Sequence, residues 1–274
     1  MVGMSGRRAR RERPATAQRR GRARSLEAPT RPALDDAAIW HDVECGDYTV
    51  DLPLWRELAA EAAGAVLDLG AGTGRVALEL AAEGHELMAI DSQPALVSAL
   101  AARARACGLA IRTCVGDVRT LELRRHFALA IAPMQVAQLL GGADGRRAML
   151  AAVGRHLPVG GLLAVALADP LEAVPHDSAL PPLPDVRELD GWVFSSRPTA
   201  VGPVPGGVAI ERVREAVSPD GELTESVATV VLDDVSAAEL ATTGEALGYR
   251  VRAPRMVPAT DAYVGSTVVL LERA

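Results

Sequence analysis

The 274-residue chain contains no lysine, and all 29 of its basic residues are arginine, which reads as a codon-composition bias before any functional signal. Aromatic residues make up only 3%, so Trp40, Trp55, Trp192, Tyr48, Tyr249, Tyr263, Phe127 and Phe194 are the few ring markers of packing. Cysteine is scarce too. Cys45, Cys107 and Cys114 are odd in number and show no C-x-x-C spacing, which argues against a disulfide framework and for a reducing, cytoplasmic setting. No apolar run reaches the length of a membrane span, and the N-terminus has no apolar signal core, so neither a membrane nor a secretory role is expected. Metal-spaced His/Cys clusters, a G-x-S-x-G nucleophile turn and a G-x-x-x-x-G-K phosphate loop are also missing, so no metal is expected.

What is present suits a globular protein. Hydrophobic content is 49% and charged content 23%, in a chain long enough to bury a core as one large domain or two small ones. Residues 1–31 hold ten arginines against Glu12 and Glu27, a net charge of +8, which leaves −14 on residues 32–274 within the chain total of −6. A body this acidic is a poor nucleic-acid binder. The arm alone could neutralise phosphates without specificity, but its Arg/Ala/Gly/Pro/Ser content cannot form a core, and a disordered leader or an over-extended reading frame is the preferred reading.

The informative stretch is residues 65–80. Ala65-Val66-Leu67-Asp68-Leu69 reads as a buried parallel strand, Gly70-Ala71-Gly72-Thr73-Gly74 as a tight turn, and Val76, Leu78 and Leu80 as the start of a helix. Alternating glycines let the backbone take positive φ and approach a ligand closely, and the helix end offers free N–H groups. A dinucleotide fingerprint starting at Gly70 needs glycine at position 75, where Arg75 stands, and one starting at Gly72 fails as well.

The pattern D-x-G-x-G-x-G instead resembles motif I of the class I S-adenosylmethionine-dependent methyltransferases. Further residues carry the resemblance in order. Asp91 ends the strand read at 86–91, like the motif II acid; Gly116-Asp117-Val118 is similar to motif III; Pro133 to Leu139 follow the strand at 127–132, at the position of motif IV; and Pro158-Val159-Gly160-Gly161 resembles the turn before the fifth strand. The resemblance implies an α/β fold: a Rossmann-like seven-stranded sheet, parallel with one antiparallel strand. An inserted antiparallel β-hairpin region after strand five is read at 208–217 and 223–232, around Ser218-Pro219-Asp220-Gly221. It implies a domain over 32–274, with an N-terminal lid at 32–64 and a substrate-side insert at 170–235.

The resemblance also implies S-adenosylmethionine as cofactor, held by Asp68, Gly70, Ala71, Gly72, Asp91, Ser92, Asp117, Val118 and Pro133, with Tyr48 of the lid folded over it. Plain readings stand beside these. Tyr48 suits core packing, Asp91 or Ser92 suits an N-cap for a helix over 94–106, and Asp51 suits a cap for a helix to about residue 63. Methyl transfer from a sulfonium needs alignment and desolvation, and a hydroxyl acceptor gains from a base near neutral pH. Of the five histidines, His85 and His126 sit at turns before strands and His156 at a helix end, whereas His41 and His176 lie in the lid and the insert. His41, His176 and Gln135, which follows strand four, are the candidates beside the acceptor. The D/N-P-P-Y/F tetrad and the Pro-Cys pair of nucleobase methylation are absent. The expected function is methyl transfer to an N or O atom of a small molecule, as part of secondary metabolism. The alternatives are an NAD(P)-dependent oxidoreductase on a similar sheet and a non-catalytic cofactor- or RNA-binding protein.

Overall fold

A computed structural model describes Pro32 and residues 35–168, 183–260 and 263–274. The expected arm at 1–31 and His176 lie outside them. Two helices open the described chain, α1 (Asp36–Cys45) and α2 (Leu52–Glu61). A β/α alternation follows: β1 (Val66–Leu69), α3 (Arg75–Ala82), β2 (Leu87–Asp91), α4 (Pro94–Ala106), β3 (Ile111–Val115), β4 (Leu129–Ala132), α5 (Ala143–Gly154) and β5 (Leu162–Ala168). Then come four strands, β6 (Asp185–Leu189), β7 (Trp192–Val204), β8 (Gly207–Val217) and β9 (Leu223–Asp233), before α6 (Ala237–Ala246), β10 (Tyr249–Val257) and β11 (Ser266–Arg273).

The main sheet has seven strands in the order β10-β11-β5-β4-β1-β2-β3. Strand β1 pairs in parallel with both β2 and β4, while β11 runs antiparallel to both of its neighbours, β5 and β10. Because side chains alternate along a strand, consecutive residues feed opposite faces. Leu67, Ala130 and Leu163 join the core that holds Phe127 and Met149, and Val66, Leu129, Ile131 and Ala164 join the one that holds Trp55 and Leu80. A sheet covered on both faces explains why β1, β4 and β5 read as near-continuous apolar runs.

The insert is larger than a hairpin. Strands β6 to β9 form a separate four-stranded antiparallel sheet. The first two strands carry a weaker signal: a strand is legible in the sequence only at 192–196, because β6 is short and polar and Pro198 and Pro203 interrupt the rest of β7. Helix α1 packs against this second sheet. It runs on to Cys45, anchored by Ile39, Trp40 and Val43 against Trp192, Phe194 and Ala216 of the second sheet. Trp40 meets Phe194 edge-on at 5.6 Å. On its other side Ala38 packs against Leu96 and Ala99 of α4. Among the described residues, no helix is long and apolar enough to cross a membrane.

Candidate active site

Strand order reverses at β1, whose neighbours β4 and β2 lead to opposite edges, and the crevice at such a switch point is where open α/β sheets bind ligands. A cavity of about 300 Å³ opens there, between the carboxyl ends of β1, β2 and β4 and the underside of α1.

The start of the glycine turn, Gly70 and Ala71, forms one wall, whereas the expected cofactor residue Gly72 lies behind the ring of His41 and does not line the cavity. Gly70, Gly72 and Gly74 have φ of +65°, +56° and +101°, a region that side-chain-bearing residues avoid. Space is short as well. A Cβ on residue 70 would lie 2.6 Å from Val136, and one on residue 72 would lie 2.2 Å from His41 Nε2. The turn is pinned at its start, where Ala71 N donates to Ile90 O at 2.9 Å.

Two carboxyl groups face this turn. Asp91 Oδ2 accepts from Gly72 N and Oδ1 from Gln93 N, each at 2.9 Å, so the acid that ends β2 also orients the glycine loop. Helix α4 begins after Gln93, and neither Asp91 nor Ser92 is its cap residue. Asp68, in the middle of β1, is 1% exposed, and neither of its oxygens has a hydrogen-bond partner. Burial pushes its pKa up to about 8, against the opposing pull of Arg75. An orphaned acid on a cavity wall is what a site for a hydrogen-bonding, cationic ligand group provides.

Of the other expected cofactor residues, Gly70, Ala71, Ser92, Asp117, Val118 and Pro133 all line the cavity. The carboxylate of Asp117 is already engaged by Arg119, whose Nε and backbone N–H donate to Oδ1 at 3.0 and 2.9 Å; these contacts hold Asp117 below its ordinary pKa. Tyr48 differs from expectation. It is buried under Tyr263, 5.0 Å between ring centres, with the Arg75 guanidinium 5.0 Å from its own ring, and it does not reach the cavity. Helix α1 covers the cavity instead, through His41 and Cys45. Asp51 also departs from its expected role as a cap. It stands before α2 but makes no capping bond, because its carboxylate is taken by Arg75 and by Trp55 Nε1, the latter at 2.7 Å.

His41 and Gln135 both line the cavity. Desolvation lowers the pKa of His41, ahead of the opposing pull of Asp42 and Asp91, so its ring is neutral near pH 7. Between Pro133 and Gln135, Met134 takes φ of +56°, a strained conformation for a side-chain-bearing residue and one found at ligand sites. His85 and His126 stay away from the cavity, and His156 is buried, its Nε2 3.3 Å from both Leu123 N and Leu121 O. Among the described residues no group of three His, Cys, Asp or Glu side chains could hold a metal ion.

Sequence reasoning missed Cys45, Arg75, Gln93, Leu96, Leu139 and Leu140 as cavity residues. Arg75 offered a signal only as the residue that breaks the dinucleotide pattern, and the apolar ones cannot be told from core by periodicity.

Residues 66–161 match the family described as methyltransferase domain. Over that stretch the chain carries a methyltransferase domain. The observed groups fit S-adenosylmethionine, the cofactor that the resemblance implies: a glycine turn with no side chains of its own, an acid ending β2 with lone pairs to spare, and an unpartnered buried carboxyl. No curated protein matches this sequence. The fold is shared with the sugar N-methyltransferase KedS8 of a Streptoalloteichus species, at TM-score 0.67 and 19% identity, over 93% of this chain and 99% of that one. It is also similar to DesVI of Streptomyces venezuelae, at TM-score 0.65 and 18% identity, covering 86% and 96%. A third likeness is to CalS10, an amino pentose methyltransferase from Micromonospora echinaspora solved with bound S-adenosylmethionine, at TM-score 0.61 and 22% identity, covering 86% and 92%.

Proposed function

We propose that this methyltransferase moves the methyl group of S-adenosylmethionine to a nitrogen or oxygen of a small molecule admitted between α1 and the loop after β4. Asp68, the glycine turn and Asp91 hold the cofactor. Bound there, it supplies an electrophilic methyl group and its own leaving group, so the chain's residues align the acceptor and exclude water. One observation carries the reading of the acceptor side. His41, neutral and on the cavity wall, is a proton acceptor beside the glycine turn. Gln135 lies on the loop after β4, where it can orient the acceptor.

The description of KedS8 as a sugar N-methyltransferase and of CalS10 as an amino pentose methyltransferase supports an amino group on a polar, sugar-like scaffold, of the kind made in secondary metabolism. Three free cysteines support a cytoplasmic setting. The test is calorimetric titration of the full chain with S-adenosylmethionine, S-adenosylhomocysteine, NAD and NADP, followed by a mass-gain screen of amino and hydroxyl sugars. Binding of the first pair alone and a gain of about 14 Da (CH₃ in place of H) on an amino sugar are expected. Binding only to a nicotinamide dinucleotide would overturn the reading.

A further inference from the structure

Thr73 has one hydroxyl proton and two partners. Its Oγ1 lies 2.6 Å from Asp42 Oδ1 and 3.2 Å from His41 Nδ1, and the residue is buried. Asp42 is an acceptor only. Burial would raise its pKa, but hydrogen bonds from Arg103 and Thr73 outweigh burial and hold the group below its ordinary value as a carboxylate. Arg103 grips it through both terminal nitrogens, and Nη1 lies 2.9 Å from Oδ1. The Thr73 proton therefore goes to Asp42, and the hydroxyl can meet His41 only as an acceptor. Nδ1 of His41 must carry a hydrogen.

The rest follows from the ring being neutral. Four charged groups act on it: Asp42 of its own helix and Asp91 at the end of β2 favour the protonated form, while Arg103 of α4 and Arg75 of α3 oppose it. Desolvation outweighs these and keeps one proton on the ring, and that proton is on Nδ1. Nε2 is left as a bare lone pair. It lies over Gly72, 2.2 Å from where a Cβ would stand, on the cavity wall, and no hydrogen bond to it forms among the described residues.

We propose that Asp42 and Thr73 are positioning residues that lock His41 in its Nδ1–H tautomer, so that Nε2 faces the cavity as the proton acceptor for an acceptor group bearing N–H or O–H. The inference rests on the methyltransferase reading only for what occupies the cavity. The proton that the acceptor loses on methylation ends on Nε2, and the imidazolium so formed stands beside the negative charges of Asp42 and Asp91. A histidine in water favours hydrogen on Nε2, so the relay reverses the ordinary preference.

Long-range proton–nitrogen NMR on the full chain, ¹⁵N-labelled at its five histidines, reads this directly. His41 is assigned by the signal lost in His41→Gln. Near pH 8 the wild-type spectrum is expected to show hydrogen on Nδ1 and a bare Nε2. Thr73→Val is expected to shift His41 mostly to the Nε2–H form with the other four histidines unchanged, and Thr73→Ser to restore the wild-type pattern. An Nε2–H ring in the wild type, which needs no variant to fold, overturns the proposal, and so does a folded Thr73→Val that keeps Nδ1–H. S-adenosylhomocysteine is then added. A moved Nε2 resonance supports a cavity-facing lone pair, and bound ligand with Nε2 unmoved overturns it. Failure of S-adenosylhomocysteine to bind overturns the cofactor reading instead, and leaves the tautomer as measured.

Discussion

Arg75 and Asp51 form a paired ion bridge, Nη1 to Oδ1 at 2.5 Å and Nη2 to Oδ2 at 2.8 Å, with both side chains nearly sealed from solvent. The residue that replaces the third glycine of a dinucleotide turn thus ties the start of α3 to the start of α2. Its Nη1 also donates to Tyr48 O at 2.6 Å, closing the chain between α1 and α2 onto the glycine loop. Arg75→Ala leaves the Asp51 charge buried with only Trp55 Nε1 as a donor, and is expected to destabilise the fold by ~3–5 kcal/mol. Chemical denaturation checks this. A loss within ~0.5 kcal/mol, the size of an exposed pair, would show the bridge to be energetically idle.

Asp68 sets a pH dependence. Burial pushes its pKa up to about 8 against an ordinary 3.8, so the folded state holds the proton more tightly than the unfolded chain. Stability conferred by that proton is complete at low pH and falls as pH rises from about 4 to about 8. Asp68→Asn removes the dependence and is expected to stabilise the ligand-free protein at pH 8 by more than ~1 kcal/mol. Cofactor binding runs the other way. A cationic ligand favours the carboxylate, so S-adenosylmethionine binding releases a proton, and affinity tightens about tenfold per pH unit as pH rises towards 8. Calorimetry in buffers of different ionisation enthalpy measures the release; Asp68→Asn should abolish it and weaken binding.

Asp91 uses each oxygen once, on Gly72 N and on Gln93 N. Asp91→Ala is expected to weaken S-adenosylmethionine binding by more than ~1 kcal/mol, the scale of a lost charge-assisted hydrogen bond. Equal affinity in the variant would remove Asp91 from the site.

Gly72 meets two demands at once, φ of +56° and the ring of His41 in the space of a Cβ. Gly72→Ala is expected to strain the turn by about 1–2 kcal/mol and to push His41 off the loop. Both a lower melting temperature and a weaker S-adenosylhomocysteine complex should follow. His41→Gly, combined with it, should recover part of the binding because the collision is gone, leaving only the backbone cost.

The sequence determined the central α/β layer because its signals are local. Four buried residues in a row make a two-sided strand of Val66–Leu69, glycines at 70, 72 and 74 make a turn that no other residue type could take, and Pro94 opens a helix. Asp91 and Asp117 fell beside the cavity because a strand's carboxyl end is a fixed place in an open sheet. Tertiary structure decided the rest. Whether Tyr48 packs or binds depended on Tyr263, more than two hundred residues away. Whether Asp51 caps a helix depended on a guanidinium that competes for its carboxylate. The lid's covering helix is held to Cys45 by Trp192 and Phe194, about 150 residues further along the chain in the second sheet. In the sequence His41 was set apart from His85, His126 and His156 only by its place in the lid. Its protonation and direction come from Thr73 and Asp42, a hydrogen-bond order that exists only once the glycine turn and α1 have met.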